Sequence, residues 1–336
     1  MPFSNRCRSA AQWVRTHRWR AAFIAIVSGF ALLNAWAFRH AWAMTHFSSG
    51  GELTIRPEKM SALSRVRVLF AGVNVPRPEK DKTPADIGLA FETHRVPVPD
   101  GVELEVWHVP HSDSRAFVVM CHGYAGSKSE LLPEAKAFYD FGCALLLVDF
   151  RGSGGSTGNT TTLGHFEAAD VASTTELARQ LAGDKPVVLY GGSMGAVAIL
   201  RAIAREAVRP SGIVIECPFD RLLTTVENRF TTMNLPSFPC AELLVFWGGI
   251  QHGMNGFAHN PSEYAASVTC PVLLMHGAED KRVSVAEVET IYAGLAGQKQ
   301  LEIFPGVRHE ACYRTPGLWM HHVREFLDRL GRGGPE

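Results

Sequence analysis

The chain has 336 residues, with 33 Lys plus Arg balanced by 33 Asp plus Glu and 46% hydrophobic content. That length and composition allow a large buried core and one or two globular domains. A net charge of zero, with no basic stripe interleaved with aromatics in the body of the chain, argues against a nucleic-acid partner.

Charge is uneven only at the N-terminus. Arg6, Arg8, Arg15, Arg18 and Arg20 precede an apolar run over 21–38, close to the shortest length that spans a bilayer, and Trp36 and Trp42 lie near its far end, where amphipathic rings favour the interface. Residues 1–45 therefore read as a basic N-terminus and membrane anchor, single-pass, with the arginines cytoplasmic and the chain beyond about residue 45 exported. A secreted protein with a cleaved signal peptide is the alternative, because Ala35-Trp36-Ala37 and Ala41-Trp42-Ala43 both have the A-x-A form. The long basic region and the length of the apolar run favour the anchor, and a buried core helix would leave five arginines unexplained.

Residues 46–89 are a poorly patterned connecting segment whose end, 76–84, has the proline and charge content of a linker. A regular pattern then defines a main domain over 90–332. Extended runs at 91–96 and 102–109 flank Pro99-Asp100-Gly101, a hairpin signal. Short apolar strands follow at 116–121, 144–148, 187–190, 213–216, 272–275 and 301–304. Helical patterns separate them at 131–141, 166–181, 196–207, 286–296 and 318–330. Strands that are continuously apolar and alternate with helices predict an α/β fold: a mostly parallel, doubly wound sheet with the antiparallel hairpin at one edge. The connection 220–269 is too long for a plain crossover and carries Phe230, Leu244 and Trp247, so it is expected to be a helical cap or lid leaving the carboxyl edge of the sheet.

The seven cysteines have no framework spacing. Cys121, Cys143, Cys217 and Cys270 read as small buried hydrophobes, and Cys240 with Cys312 is the pair open to bonding in an oxidising compartment. No CxxC or His/Cys cluster suggests a metal, and His321 and His322 are expected to face solvent.

One pentapeptide carries the chemistry. Gly191-Gly192-Ser193-Met194-Gly195 lies between the apolar run 186–190 and a helical pattern beginning at Ala196. A strand that reverses sharply into a helix projects its turn serine, which demands nearly side-chain-free neighbours, and the helix start supplies N–H groups for an oxyanion. Gly154-Gly155-Ser156-Thr157-Gly158 matches the same G-x-S-x-G pattern, but its strand ends well before Ser156 and Asn159-Thr160-Thr161-Thr162 behind it is a poor helix former, so Ser156 reads as loop.

A serine hydroxyl needs a base, and the base needs an orienting group. Asp280 follows strand 272–275 and His309 follows strand 301–304, giving the chain order Ser193, Asp280, His309. Glu279 and Asp149 are rivals for the acid; Asp149, beside Arg151 and a glycine-rich loop, reads better as an ion-paired or loop-shaping group. His122 and His276, each before a glycine at a strand end, are rivals for the base. The oxyanion donors are expected to be the N–H of Met194 and an N–H of the loop His122-Gly123-Tyr124-Ala125-Gly126, with Tyr124 preferred.

Over roughly residues 90–330 these residues resemble an α/β-hydrolase, close to the serine-aminopeptidase-like and lipase/esterase branches with a short helical cap. The motifs that carry the likeness are His122-Gly123, Asp149-Phe150-Arg151-Gly152, Gly191-Gly192-Ser193-Met194-Gly195, His276-Gly277-Ala278-Glu279-Asp280 and the late His309. The resemblance implies Ser193 as nucleophile, His309 as base, Asp280 as its partner, Tyr124 and Met194 as oxyanion donors, and no cofactor or metal. The expected activity is hydrolysis of a carboxylic ester or thioester on a small-molecule, lipid-like acyl substrate. A peptidase, an aminopeptidase or an acyltransferase on the same scaffold is the alternative, and a non-catalytic binding protein is a third reading. Residues 1–88 have no counterpart in the minimal fold.

Overall fold

The structure, a computed structural model, describes residues 17–55, 60–309 and 312–331. Arg6, Arg8 and Arg15 lie outside the described residues. The sheet has eight strands: β1 (Glu92–Pro97), β2 (Glu103–Val109), β3 (Ala116–Cys121), β4 (Cys143–Val148), β5 (Val187–Gly192), β6 (Gly212–Glu216), β7 (Val272–Gly277) and β8 (Lys299–Phe304). Their order is β1-β2-β4-β3-β5-β6-β7-β8. The β1–β2 and β2–β4 pairs are antiparallel and the remaining pairs are parallel, so the expected edge hairpin is present. Gly101, at φ 85, turns the hairpin.

Every residue of β3 and β4 is buried. Alternate side chains feed separate cores, Phe117, Val119 and Cys121 on one face and Ala116, Val118 and Met120 on the other, because strand side chains alternate. Helices cover both faces, which accounts for strands that are apolar throughout. In chain order the helices are α1 (Arg18–Thr45), α2 (Ala62–Ala71), α3 (Leu132–Asp140), α4 (Glu167–Ala182) and α5 (Met194–Arg205), then α6 (Leu222–Thr232), α7 (Cys240–His252), α8 (Pro261–Tyr264), α9 (Val285–Gly294) and α10 (Pro316–Leu330).

Helix α1 is longer than the apolar run that marks it in the sequence. An 18-residue window within it averages a mean hydropathy of 1.9 and is 6% buried. Its last turns, however, are packed: Ala37, His40, Ala41 and Thr45 are buried. Trp247 of α7 donates to Asn34 Oδ1 at 3.1 Å, Gln251 donates to the Phe38 carbonyl at 2.8 Å, and the Phe38 and Trp247 rings meet edge-on at 5.4 Å. The cap helix therefore grips the end of the apolar helix.

The linker-like stretch is not free either. His46 pairs with Thr160 and Ser48 with Pro76 as isolated bridges, Arg77 donates to the Gly158 and Ser156 carbonyls, and Gly154 N–H bonds the Pro78 carbonyl. Composition misleads here because docking uses backbone groups and a few charged tips rather than an apolar stripe.

A buried charge cluster fastens the hairpin to the strand ends. Lys128, fully buried, pairs with Asp149 and with Glu105, the latter at 2.9 Å, and its ammonium stands 4.3 Å from the Trp107 ring centroid. Burial pushes the Glu105 carboxyl up, but Lys80 and Lys128 hold it down at about 2. Asp149 also accepts from Lys128 N–H and Gly155 N–H, both at 2.8 Å. Its role is thus in the loops, with Lys128 rather than Arg151 as its partner; Arg151 pairs with Asp170 and Asp100. Ser156 closes the cluster, donating to the Asp149 carbonyl at 2.6 Å and accepting from Glu105 N–H at 2.9 Å. Removing one carboxylate leaves a buried ammonium short of a partner, which costs about 3–5 kcal/mol. Asp149→Ala is therefore expected to lower Tm by roughly 10 °C in scanning fluorimetry, and a shift within experimental scatter would contradict this account.

Candidate active site

Ser193 sits between β5 and α5 at φ 50, ψ −115, a conformation that costs a residue with a Cβ. Its N–H donates to the Glu216 carbonyl at 2.7 Å, and its carbonyl accepts from Val197 N–H at 3.1 Å. A Cβ on Gly195 would lie 2.3 Å from the Cys121 carbonyl oxygen, and one on Gly191 would lie 2.7 Å from the Gly195 carbonyl carbon. Those two glycines are required by space. Gly192 is not, since a Cβ there meets nothing within 4 Å.

The parallel strands end on one edge, and that edge assembles the sequence-predicted residues. Ser193 Oγ lies 3.1 Å from His309 Nε2, and His309 Nδ1 lies 2.6 Å from Asp280 Oδ2. Asp280 is held from behind, its Oδ1 accepting from Arg282 N–H at 2.8 Å and Val283 N–H at 3.1 Å. Burial pushes its carboxyl up, but the bond and charge of His309 and the two N–H groups outweigh this, and its pKa falls below the ordinary value. His309 thus faces Asp280 with Nδ1 and the serine with Nε2.

The rivals are placed elsewhere. Glu279 is exposed and lies 3.9 Å from Arg308. His122 is buried, with Nδ1 2.8 Å from the Gly123 carbonyl and Nε2 accepting from Phe150 N–H at 3.1 Å, so both ring nitrogens are committed to shaping its loop. His276 is fully buried beside Cys217 and Asp280. Of the C-terminal pair, His321 is exposed, whereas His322 packs against Phe304 and Glu302 with its side chain only 12% exposed; the expectation that both face solvent holds for the first alone. The six described cysteines are free thiols, and Cys312 lies beside Cys217 rather than Cys240, so the suggested Cys240–Cys312 pairing is not made.

The loop after β3 reaches the serine: a Cβ on Gly123 would stand 3.9 Å from Ser193 Cβ. Tyr124 and Met194 border the same cavity as Ser193 and His309, a space of about 250 Å³. Among the described residues neither the Tyr124 nor the Met194 N–H has a protein acceptor. Met194 is the first residue of α5, where N–H groups have no helical partner. The Tyr124 hydroxyl, by contrast, is fixed, donating to the Met44 carbonyl at the end of α1 at 2.5 Å, with the Arg229 guanidinium 5.5 Å from its ring centroid.

Two acids in this cavity escape sequence reasoning. Glu216, at the end of β6, accepts from Tyr190 Oη at 2.9 Å, Trp319 Nε1 at 2.7 Å and Cys312 N–H at 2.7 Å. Glu134, in the first turn of α3, is buried with Oε2 unpartnered among the described residues, and burial together with Glu216 pushes its pKa to about 8. Glu216 carries a weak signal, a carboxylate closing a buried strand. Glu134 carries none, since an acid in a helix's first turn is ordinary.

The serine aminopeptidase family, S33, matches residues 112–238. An uncharacterised protein of Mycobacterium tuberculosis is 33% identical over 239 residues, covering 69% of this chain and 77% of its own. A monoacylglycerol lipase of Mycolicibacterium smegmatis is 26% identical over 61% of this chain and 85% of its own. Among solved structures, an esterase of Pyrococcus furiosus superposes with a TM-score of 0.65 at 25% identity, covering 76% of this chain and 97% of that one. Fold, strand-edge constellation and relatives converge: the chain belongs to the α/β-hydrolase family of serine hydrolases.

Proposed function

We propose that the protein is a membrane-attached serine hydrolase that cleaves a carboxylic ester or thioester through an acyl-enzyme, with Ser193, His309 and Asp280 as its triad. The observation that carries this reading is the continuous chain from Ser193 Oγ through His309 to Asp280, at 3.1 and 2.6 Å. Ser193 Oγ attacks the acyl carbon as its proton passes to His309 Nε2. The tetrahedral oxyanion is received by the N–H groups of Tyr124 and Met194. Collapse breaks the bond to the leaving alkoxide or thiolate, which takes the proton from His309. Water then gives a proton to His309 and attacks the acyl-enzyme, releasing the acid and restoring Ser193.

An acidic subsite is what a peptidase would need to hold an amino terminus, and Glu134 favours that second reading to this extent. A carboxyl with a pKa near 8 is neutral at pH 7, however, and suits hydrogen bonding to a hydroxylated leaving group better than pairing with an ammonium. Turnover of p-nitrophenyl esters against aminoacyl anilides separates the two, and preference for the anilides would reverse the choice.

The apolar helix serves as the anchor, with its arginine end cytoplasmic and the hydrolase domain exported. Cleavage at either A-x-A sequence is disfavoured because Ala37 and Ala41 are buried against the domain within α1. The stretch ahead of the first buried residue, 18–36, measures about 28 Å at ~1.5 Å per residue, close to the thickness of the hydrocarbon core.

A fluorophosphonate is expected to label the wild-type protein and not Ser193→Ala, while Ser156→Ala, whose hydroxyl serves the charge cluster, still labels. Ser193→Ala should lower kcat by roughly 10³-fold or more. Absence of labelling in the wild type, or labelling that persists in Ser193→Ala, would overturn the assignment.

Glu134 gives a pH test. A carboxyl whose folded pKa is raised weakens the fold as pH climbs above its ordinary value of 4.5, and the loss is complete above about 8. The slope between those limits is at most ~1.4 kcal/mol per pH unit. Glu134→Gln should therefore melt above the wild type at pH 9 by a margin that shrinks toward pH 5; equal margins at both would mean the native carboxyl is already ionised near neutrality.

A further inference from the structure

Beside the Ser193 cavity lies a second space of about 250 Å³, walled by Trp36 and Met44 of α1, Val68 and Leu69 of α2, and Phe230 and Leu244 of the cap. The two share a wall: Tyr124, Glu130, Arg229 and Arg282 line both. Tyr124 is therefore a partition with the candidate oxyanion donor on its backbone and its hydroxyl bonded to the Met44 carbonyl of the apolar helix. The chemistry of the two spaces differs. One holds Glu134, Glu216 and the serine, and the other is mostly apolar.

Helix α2 explains what the apolar space faces. Val68 and Leu69 turn inward, whereas Leu63, Val66 and Phe70 are 81%, 53% and 74% exposed. The outer face is thus an exposed apolar stripe edged by Arg67, the composition of a helix that lies at an interface. Helix α2 is bound to α1 at the point where α1 leaves the domain: Trp36 Nε1 donates to the Leu69 carbonyl at 2.6 Å, Arg39 donates to the Phe70 carbonyl at 3.1 Å, and His40 Nε2 lies 3.1 Å from the Val68 carbonyl. These contacts satisfy the carbonyls that end α2. They also place its outer face beside the end of the exposed apolar stretch of α1, the proposed anchor, with Arg67 exposed and suited to lipid headgroups.

We propose that this apolar chamber receives the acyl chain of a bilayer-resident ester whose carbonyl is presented to Ser193, so that α1 and α2 form part of the substrate site as well as attaching the enzyme. The substrate class is an ester of a long-chain fatty acid with a small polar alcohol, the alcohol lying on the Glu134 side. This rests on the serine-hydrolase reading above.

The test uses the full chain in mixed micelles and a hexadecyl fluorophosphonate with a diazirine at the far end of its chain. Photolysis after labelling should give cross-links within residues 36–75 and in the cap between Phe230 and Leu244. Val68→Trp, which narrows the chamber, should lower the palmitate-to-butyrate ratio of kcat/KM for p-nitrophenyl esters by at least ~10-fold, as expected when a pocket loses room for methylenes. If Ser193 is not labelled at all, the hydrolase reading falls and this proposal with it. If Ser193 is labelled but cross-links avoid 36–75 or join two copies of the chain, or if the ester ratio is unchanged in Val68→Trp, the chamber assignment alone is overturned.

Discussion

The site depends on a backbone conformation that a serine adopts only under constraint. At φ 50, Ser193 would relax if the Glu216 carbonyl did not hold its N–H and if Gly195 did not let α5 close to the carbonyl of Cys121. Both supports come from strands that flank β5, namely β6 and β3. The turn therefore exists only at the centre of this sheet. Glu216 extends the constraint, because its carboxylate bonds Cys312 and Trp319 and so anchors the segment that follows His309. Nucleophile and base are thus located by one strand end.

Around this centre the loops are fixed by charge rather than by apolar packing. Lys128, Asp149 and Glu105 join the loop after β3, the end of β4 and the hairpin, and Ser156 fills the remaining hydrogen bonds. Such a cluster specifies geometry, since every member is buried and partnered and any displacement exposes an unpaired charge. The twin motif at Ser156 is thereby explained: its serine is a structural donor and acceptor, Gly154 and Gly155 are required by close approach, with a Cβ on Gly154 falling 2.0 Å from Asp149 Oδ2, and Gly158 sits at φ 85. The N-terminal helix is bonded to Tyr124 beside the site and to α7, so the end of the apolar helix and the site share a wall.

Much of this was legible in the sequence where one periodicity met one chemical need. The strands are apolar throughout because helices cover both faces, and Ser193, Asp280 and His309 follow strands that end on a common edge. What was illegible depended on contacts between distant segments. Residues 76–84 look like a linker because their docking uses Arg77 and main-chain groups, which leave no apolar pattern. His322 looks solvent-facing from its place in a polar helix stretch, yet β8 packs against it. Glu134 has its pKa raised only because burial and Glu216, 82 residues on, act on it.

The sequence by itself determined the alternation of strand and helix, the serine turn, the order of the three candidate catalytic residues and the presence of an apolar N-terminal helix, since each is encoded by residues close together in the chain. Tertiary structure alone decided which glycines the turn needs, which acid faces His309, that burial raises the Glu134 pKa, and that the end of the apolar helix is a wall of the cavity beside Ser193. Most of those outcomes are set by contacts between segments well separated in the chain, 29 residues for Asp280 and His309 and 80 for Tyr124 and Met44, and local pattern contains no record of them.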